Sequence, residues 1–193
     1  MQSEPTVTNH FRDYVARLHL VLDVTDWSGL EQLAGDIRLC WQEGRRVFLC
    51  GNGGSAGNAI HLANDFLYGI AKGRCAGLKV SALSDNSAII TCLANDVGYE
   101  HIFSEQLNVQ ADKGDLLVVL SGSGNSPNII RALECAKIKG IKSYAMLGFD
   151  GGKCKNLANT VIHFEISDMQ IAEDLQLISG HMLMQWLYKN YSE

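Results

Sequence analysis

Residues 46–69, RVFLCGNGGSAGNAIHLANDFLYG, decide how this chain folds. Val47, Phe48, Leu49 and Cys50 make a short apolar run that ends in Gly51-Asn52-Gly53-Gly54-Ser55, and an amphipathic pattern follows at once. That order is strand, turn, helix. Three glycines in four positions let the backbone take positive φ and let an anion reach the amides without meeting a Cβ, while the next helix presents its positive end. A phosphate or another small oxyanion suits such a turn; a plain tight turn is the alternative these residues leave open.

Gly51, Gly53 and Ala56 also fit G-x-G-x-x-G/A, the dinucleotide fingerprint. That fingerprint needs an acid about 20 positions further on, ending the next strand. The place falls in Ala71-Lys72-Gly73-Arg74, before the next apolar run begins, and the first acid after that run is Asp85. No nicotinamide or flavin is expected.

Outward from this stretch, apolar runs alternate with helical patterns. Leu78 to Leu83 reads as a strand, Ala88 to Leu93 and Ile102 to Val109 as helices separated by Asn95-Asp96-Val97-Gly98. Leu116-Leu117-Val118-Val119-Leu120 has no polar residue for water and should be a central strand covered on both sides. Ile129 to Lys139 is helical, Ser143 to Leu147 a strand, Lys153 to Ala158 a short helix, Thr160 to Phe164 a strand and Met169 to Lys189 a long helix, with Leu175, Ile178, Met182 and Trp186 as its core stripe. The alternation predicts an α/β fold, a doubly wound parallel sheet with right-handed crossovers. Two helices precede it, carrying Phe11, Val15, Leu18 and Leu22, then Leu30, Leu33, Ile37 and Trp41. Neither buries its stripe alone, so they lie on the domain body or pack against copies from other subunits.

The central strand runs into Ser121-Gly122-Ser123-Gly124-Asn125-Ser126-Pro127, where hydroxyls and glycines again precede a helix. Loops at the carboxyl ends of strands line the crevice of an open α/β sheet, so the two anion-binding turns are expected to converge. Neither is a Walker A motif, and Gly148 to Cys154 misses it through spacing and the missing Ser/Thr after Lys153. A phosphate monoester on a small molecule is therefore a better expectation than a nucleoside triphosphate.

The whole chain sets the bounds. Its 193 residues suit a single domain over 1–193, with N-terminal helices in 1–44 and an α/β core in 45–193. Apolar residues make up 47% and charged ones 19%, and the net charge of -5 argues against a general nucleic-acid surface. Cys40, Cys50, Cys75, Cys92, Cys135 and Cys154 form no C-x-x-C pair and read as reduced thiols. MQSEPTVTNHFRDY lacks the n- and h-regions of a signal peptide, and no apolar run has the length of a membrane span. A cytoplasmic protein without membrane or nucleic-acid partners is expected.

GNGGS with a helical His61, AND at 94–96, the loop at 121–126 and a late helix with His181 resemble the sugar isomerase (SIS) domain family, nearest its phosphoheptose isomerases. The likeness runs from about Phe11 to Leu187. It implies a five-stranded parallel sheet, a homotetramer built partly through the N-terminal helices, and active sites between subunits. Position by position it implies phosphate binding by Ser55, Ser121, Ser123 and Ser126, with Gly53 and Gly54 in the first turn and Gly122 where the family commonly has Thr. Asn52 and Asp96 stand as sugar contacts. His61 matches a metal ligand, and Asp65 stands where a Glu serves as ligand and base. His181 matches the catalytic histidine, and Glu173 takes the place of a Gln that binds metal or substrate. Gln176 replaces a His and Gly69 an Arg.

The chemistry is legible beside the resemblance. Aldose–ketose interconversion moves a proton between adjacent carbons through an enediol and needs a base, a proton donor and a means to stabilise the oxyanion. His61 and Asp65 are i and i+4 and share a helix face beyond the glycine turn. With Glu173 and His181 they make a His-Asp-Glu-His set suited to zinc, although Glu173 and His181 are roughly 12 Å apart along a helix and must lean together. His10, His19, His101 and His163 read as structural. With Asp65 and His181 as the acid–base pair, the resemblance implies conversion of sedoheptulose 7-phosphate to D-glycero-D-manno-heptose 7-phosphate for surface polysaccharide. The alternative is a non-catalytic binding or regulatory protein on the same scaffold, resembling a tetramer that contacts a replication initiator.

Overall fold

The run from Leu116 to Leu120 offers nothing to water, and the fold gives it none. In the computed structural model, which describes residues 7–190, it forms strand β3 (Leu116–Ser121), buried along its whole length. Strands β1 (Arg46–Gly51) and β4 (Lys142–Leu147) flank it, with β2 (Lys79–Ala82) beyond β1 and β5 (Thr160–His163) beyond β4. Every pairing is parallel. The five-stranded parallel sheet is as expected, and parallel neighbours need covered crossovers.

Among the described residues α1 (Val7–Val24) and α2 (Ser28–Gln42) precede β1, α3 (Gly54–Asn64), α4 (Ser87–Asp96), α5 (Ser104–Gln110) and α6 (Pro127–Lys139) lie in the crossovers up to β4, and α7 (Met169–Lys189) follows β5. Period two divides the central strands between the two faces. Val47, Leu49, Leu116, Val118 and Leu120 pack with Leu33 and Ile37 of α2, Leu62 of α3, and Leu175 and Leu183 of α7. Phe48, Cys50, Leu117 and Val119 pack with Leu107 of α5 and Ile129, Leu133 and Ala136 of α6. Each fully buried leucine contributes about 1.5–3 kcal/mol relative to exposure, so the two apolar faces of β1 and β3 dominate the fold.

The chain leaves β1 for β2 on one side and comes back to β3 on the other, so the strand order reverses between β1 and β3. Helix α3 then covers one face and α6 the other. A crevice opens between the loops that follow β1 and β3.

Some boundaries differ from the sequence reading. Helix α4 runs through Asn95 and Asp96, which hydrogen-bond to each other, and a single 3-10 turn (Tyr99–His101) precedes α5. Lys153–Asn156 is one 3-10 turn rather than a helix to Ala158. The stripe expected on α7 is corrected too. Leu175 is buried as expected, beside Ile171, Ala172, Leu183 and Leu187, while Met182 and Trp186 remain 44% and 37% exposed. The reason is close packing at Gly180, which lies against Leu62 and turns the adjoining stripe inward. On α2, Leu30, Leu33 and Ile37 are buried as expected, whereas Phe11 and Val15 of α1 stay exposed. The expected domain limits, Met1 and Glu193, lie outside the described residues. Among those residues no helix is long and apolar enough to cross a membrane.

Candidate active site

The loops after β1 and β3 meet, with the start of α7, around a cleft of about 260 Å³. Asn52, Gly53, Gly54 and Ser55 line one side, Ser121, Gly122, Ser123 and Ser126 the other, and Met169 and Glu173 close it from α7. Gly53 has φ 55 and ψ -124, which a side chain would strain, and this conformation turns the chain from β1 directly into α3. In the serine loop, Ser121 Oγ accepts the Gly124 amide at 3.1 Å and Ser123 Oγ the Asn125 amide at 3.3 Å. Ser126 stands at the N-cap of α6 without spending its hydroxyl on that helix, and Pro127 opens the first turn. The cleft is a ring of hydroxyls and amides at two helix starts, the chemistry of an anion site.

Two features of the cleft come from α7. A Cβ on Gly122 would overlap Met169 Sδ, so the thioether fills the space that a threonine would have taken. Glu173 reaches over the first loop, where its Oε1 accepts the Ser55 amide at 3.0 Å and lies 3.4 Å from Ser55 Oγ. A Cβ on Gly54 would overlap its Oε2. Asn58 pins the two helices together by donating to Glu173 O at 2.9 Å and to Gln176 Oε1 at 3.2 Å.

Asn52 is not loose. It exchanges two amide hydrogen bonds of 2.8 Å with Asn128, which is fully buried, and its Oδ1 also accepts the Tyr99 hydroxyl at 3.0 Å. Asp96 is exposed on α4, beside Cys92 and Asn95 and outside the residues that line the cleft. Within the single chain α4 extends through Asp96, whose carboxylate faces neighbours on its own helix.

Further along α3 a second group assembles. His61 Nε2 and His181 Nε2 lie 3.0 Å apart, and Asp65 Oδ2 is 3.5 Å from each. The rings meet edge to face with centroids 5.2 Å apart. Four ligands at zinc–nitrogen distance sit about 3.3 Å from one another in a tetrahedron, so three sides of 3.0, 3.5 and 3.5 Å form one face of such a site. The donor set fits a divalent cation, and Asp65 reaches both imidazoles despite being one methylene shorter than Glu. Glu173 is not brought to this group: its carboxylate is held at the Ser55 amide. The expected set of four is therefore three residues, with the fourth two turns away along α7.

Two local causes bring the three together. A Cβ on Gly180 would overlap Leu62 Cδ2, so glycine there lets α7 approach α3 and sets the neighbouring His181 against His61. Beyond Asp65 the helix widens into a π-turn (Asp65–Gly69), with the Ile70 amide on Asp65 O at 3.0 Å. Such turns recur at functional sites because they reposition side chains without ending the helix. At the start of α7, Asp168 accepts the Ile171 amide at 3.1 Å and Arg17 at 2.6 Å, which holds its carboxyl below the usual range. Tyr14 donates to Asp174 at 2.5 Å, and burial together with that carboxylate pushes its hydroxyl up to about 12. Helix α1 is thereby tied to the helix that carries Glu173 and His181.

Asn128, Tyr99, Met169 and Asn58 are site residues that the sequence reading missed. The one signal was Asn128 itself, a polar residue beside Ile129 on the buried face of α6.

Residues 10–148 match the SIS domain family. A phosphoheptose isomerase of Aneurinibacillus thermoaerophilus is 38% identical over 154 residues, covering 80% of this chain and 77% of the relative. One of Desulfovibrio desulfuricans is 34% identical over 188 residues, covering 95% and 89%. A solved phosphoheptose isomerase from Neisseria gonorrhoeae superposes with a TM-score of 0.84 at 25% identity, covering 94% of this chain and 96% of its own. Cleft, helix pair and sheet order together with these matches lead to one conclusion: the chain belongs to the SIS domain family, alongside relatives named phosphoheptose isomerase.

Proposed function

We propose that this chain is a phosphosugar isomerase that converts sedoheptulose 7-phosphate to D-glycero-D-manno-heptose 7-phosphate. The carrying observation is the convergence of His61, Asp65 and His181 on the same helix pair that frames the two-loop anion cleft. Along α3, Ser55 and His61 are separated by about 9 Å of helix rise, room for a sugar chain held at its phosphate end. The relatives named phosphoheptose isomerase support the same substrate class.

In this reading the Ser55 amide and hydroxyl and the hydroxyls of Ser121, Ser123 and Ser126 hold the phosphate, while Asn52, fixed by Asn128, orients a sugar hydroxyl. Asp65 removes a proton from the carbon next to the carbonyl. His181 delivers a proton to the carbonyl oxygen from its other ring nitrogen, the one not turned to His61, giving the enediol. Reversing the roles on the other carbon and oxygen returns both protons and leaves the isomer. Such positioned proton transfer contributes about 10²–10⁴-fold. His61, Asp65 and His181 would hold a zinc ion, which supplies positive charge for the developing oxyanion.

A homotetramer, a cytoplasmic location and a role in surface-polysaccharide heptose supply complete the reading. Phe11 and Val15, 64% and 62% exposed on α1, support association. So does an apolar groove of about 530 Å³ between Trp27, Leu30, Met182 and Trp186. Light scattering reports the assembly. For the reaction, the purified protein is incubated with sedoheptulose 7-phosphate in deuterated water and followed by NMR. Formation of the aldose with deuterium at the reacting carbon is expected. No aldose and no deuterium, with phosphate still bound, would leave a sugar-binding or regulatory protein instead.

A further inference from the structure

Every residue lining the anion cleft is uncharged except Glu173, and that one charge is negative. Its carboxylate sits on the donor a phosphate needs, with Oε1 on the Ser55 amide at 3.0 Å and Oε2 against Gly54, where a Cβ would not fit. A carboxylate at a helix start gains from the dipole and from a charge-assisted hydrogen bond, so it holds this place against water. A phosphate arriving there meets both an occupied donor and a like charge.

A donor for the displaced group lies on the same helix. Asn58 fixes the backbone of α7 at Glu173 O, so only the side chain has to turn. Three residues on, the Nε2 of Gln176 is buried, 1% exposed, and has no hydrogen-bond partner. Positions i and i+3 on a helix are neighbours, and an unpaired buried donor gains from accepting such a partner. A carboxylate released from Ser55 would find that unpaired donor on the next turn of its own helix.

We propose that Glu173 is a built-in anion that occupies the phosphate donors of the first loop and must be displaced by the substrate's phosphate, a specificity filter against weakly held anions. It rests on the cleft being the phosphate site of the proposed isomerase. Inorganic phosphate, titrated calorimetrically into the full chain and followed at the Ser55 amide by NMR, tests it with Glu173→Gln beside the unmodified protein. The neutral amide keeps the shape but is a weaker acceptor and does not repel the ligand. Phosphate is expected to bind Glu173→Gln about tenfold more tightly, about 1.4 kcal/mol. If that variant fails to fold, Glu173→Ala is expected to show the same gain. Equal or weaker binding by the folded variant overturns the competition while leaving the isomerase reading intact. No binding to either protein overturns the phosphate cleft and the competition together.

Discussion

His61 and His181, 120 positions apart in the chain, face each other Nε2 to Nε2 at 3.0 Å across the contact of α3 with α7. Two imidazoles at that distance are held either by one shared proton or by a cation between them. Asp65 Oδ2, 3.5 Å from each, adds the negative charge that either arrangement needs, and as a third donor atom it would complete a face for a cation.

Metal content checks this directly. Purified protein is expected to carry about one zinc per chain by elemental analysis, and His61→Ala or His181→Ala to lose at least about 10-fold in zinc affinity. Unchanged zinc binding in both variants would remove the cluster from the mechanism.

Gly180 is expected to control the spacing of the two helices. Gly180→Ala places a methyl in Leu62, which should cost about 1–3 kcal/mol in urea unfolding and weaken zinc binding by moving His181. A variant as stable and as tightly metallated as the parent would show that the helices have slack.

Asn128 acts through Asn52. Replacing it by Leu leaves the Asn52 amide with the Tyr99 bond alone. kcat/KM is expected to fall about tenfold, the value of roughly one hydrogen bond to a positioned group, with zinc content unchanged. Steady-state kinetics beside metal analysis separates this loss from general unfolding.

Asp168 caps α7 and anchors Arg17. Its carboxyl is held below the ordinary range, chiefly by the Arg17 hydrogen bond, so its contribution is present above the unfolded value near 3.9 and is lost as the pH falls through the lower folded value. Asp168→Ala should therefore cost about 1 kcal/mol at neutral pH and progressively less below about pH 4. Urea midpoints at the two pH values report it; a difference that grows in acid would contradict the sign.

Cys40, Cys50, Cys135 and Cys154 are buried free thiols, and burial raises each of them, Cys40 and Cys154 to about 11. Cys92 is exposed and Cys75 half-buried. A thiol reagent at neutral pH is expected to modify only these two in the folded protein, and all six after denaturation. Rapid labelling at Cys50 would mean that the packing on its face of the sheet is loose.

The fold could be read from the chain because its signals are local. A strand that is apolar at every position, as from Leu116 to Leu120, has to be covered on both faces. Gly51, Gly53 and Gly54 mark a turn that only small residues make, and His61 and Asp65 share a face through helix geometry alone. The loops after β1 and β3 were placed at one crevice by the same reasoning. What lay beyond reach depends on how separate helices pack. Whether Glu173 joined the imidazoles or the Ser55 amide, whether Met182 and Trp186 turned inward, and that Asn128 would hold Asn52 were set by the approach of α7 to α3 and of α6 to β1.

The amino-acid sequence by itself determined the parallel sheet, the two glycine-containing turns after β1 and β3 and the shared helix face of His61 and Asp65, because periodicity, glycine and i,i+4 spacing act within a few residues. Only the tertiary structure decided which of those side chains meet. Glu173 and His181 ride on one helix at fixed spacing, and the close packing of Gly180 on Leu62 delivers the imidazole to His61 and the carboxylate to the first loop.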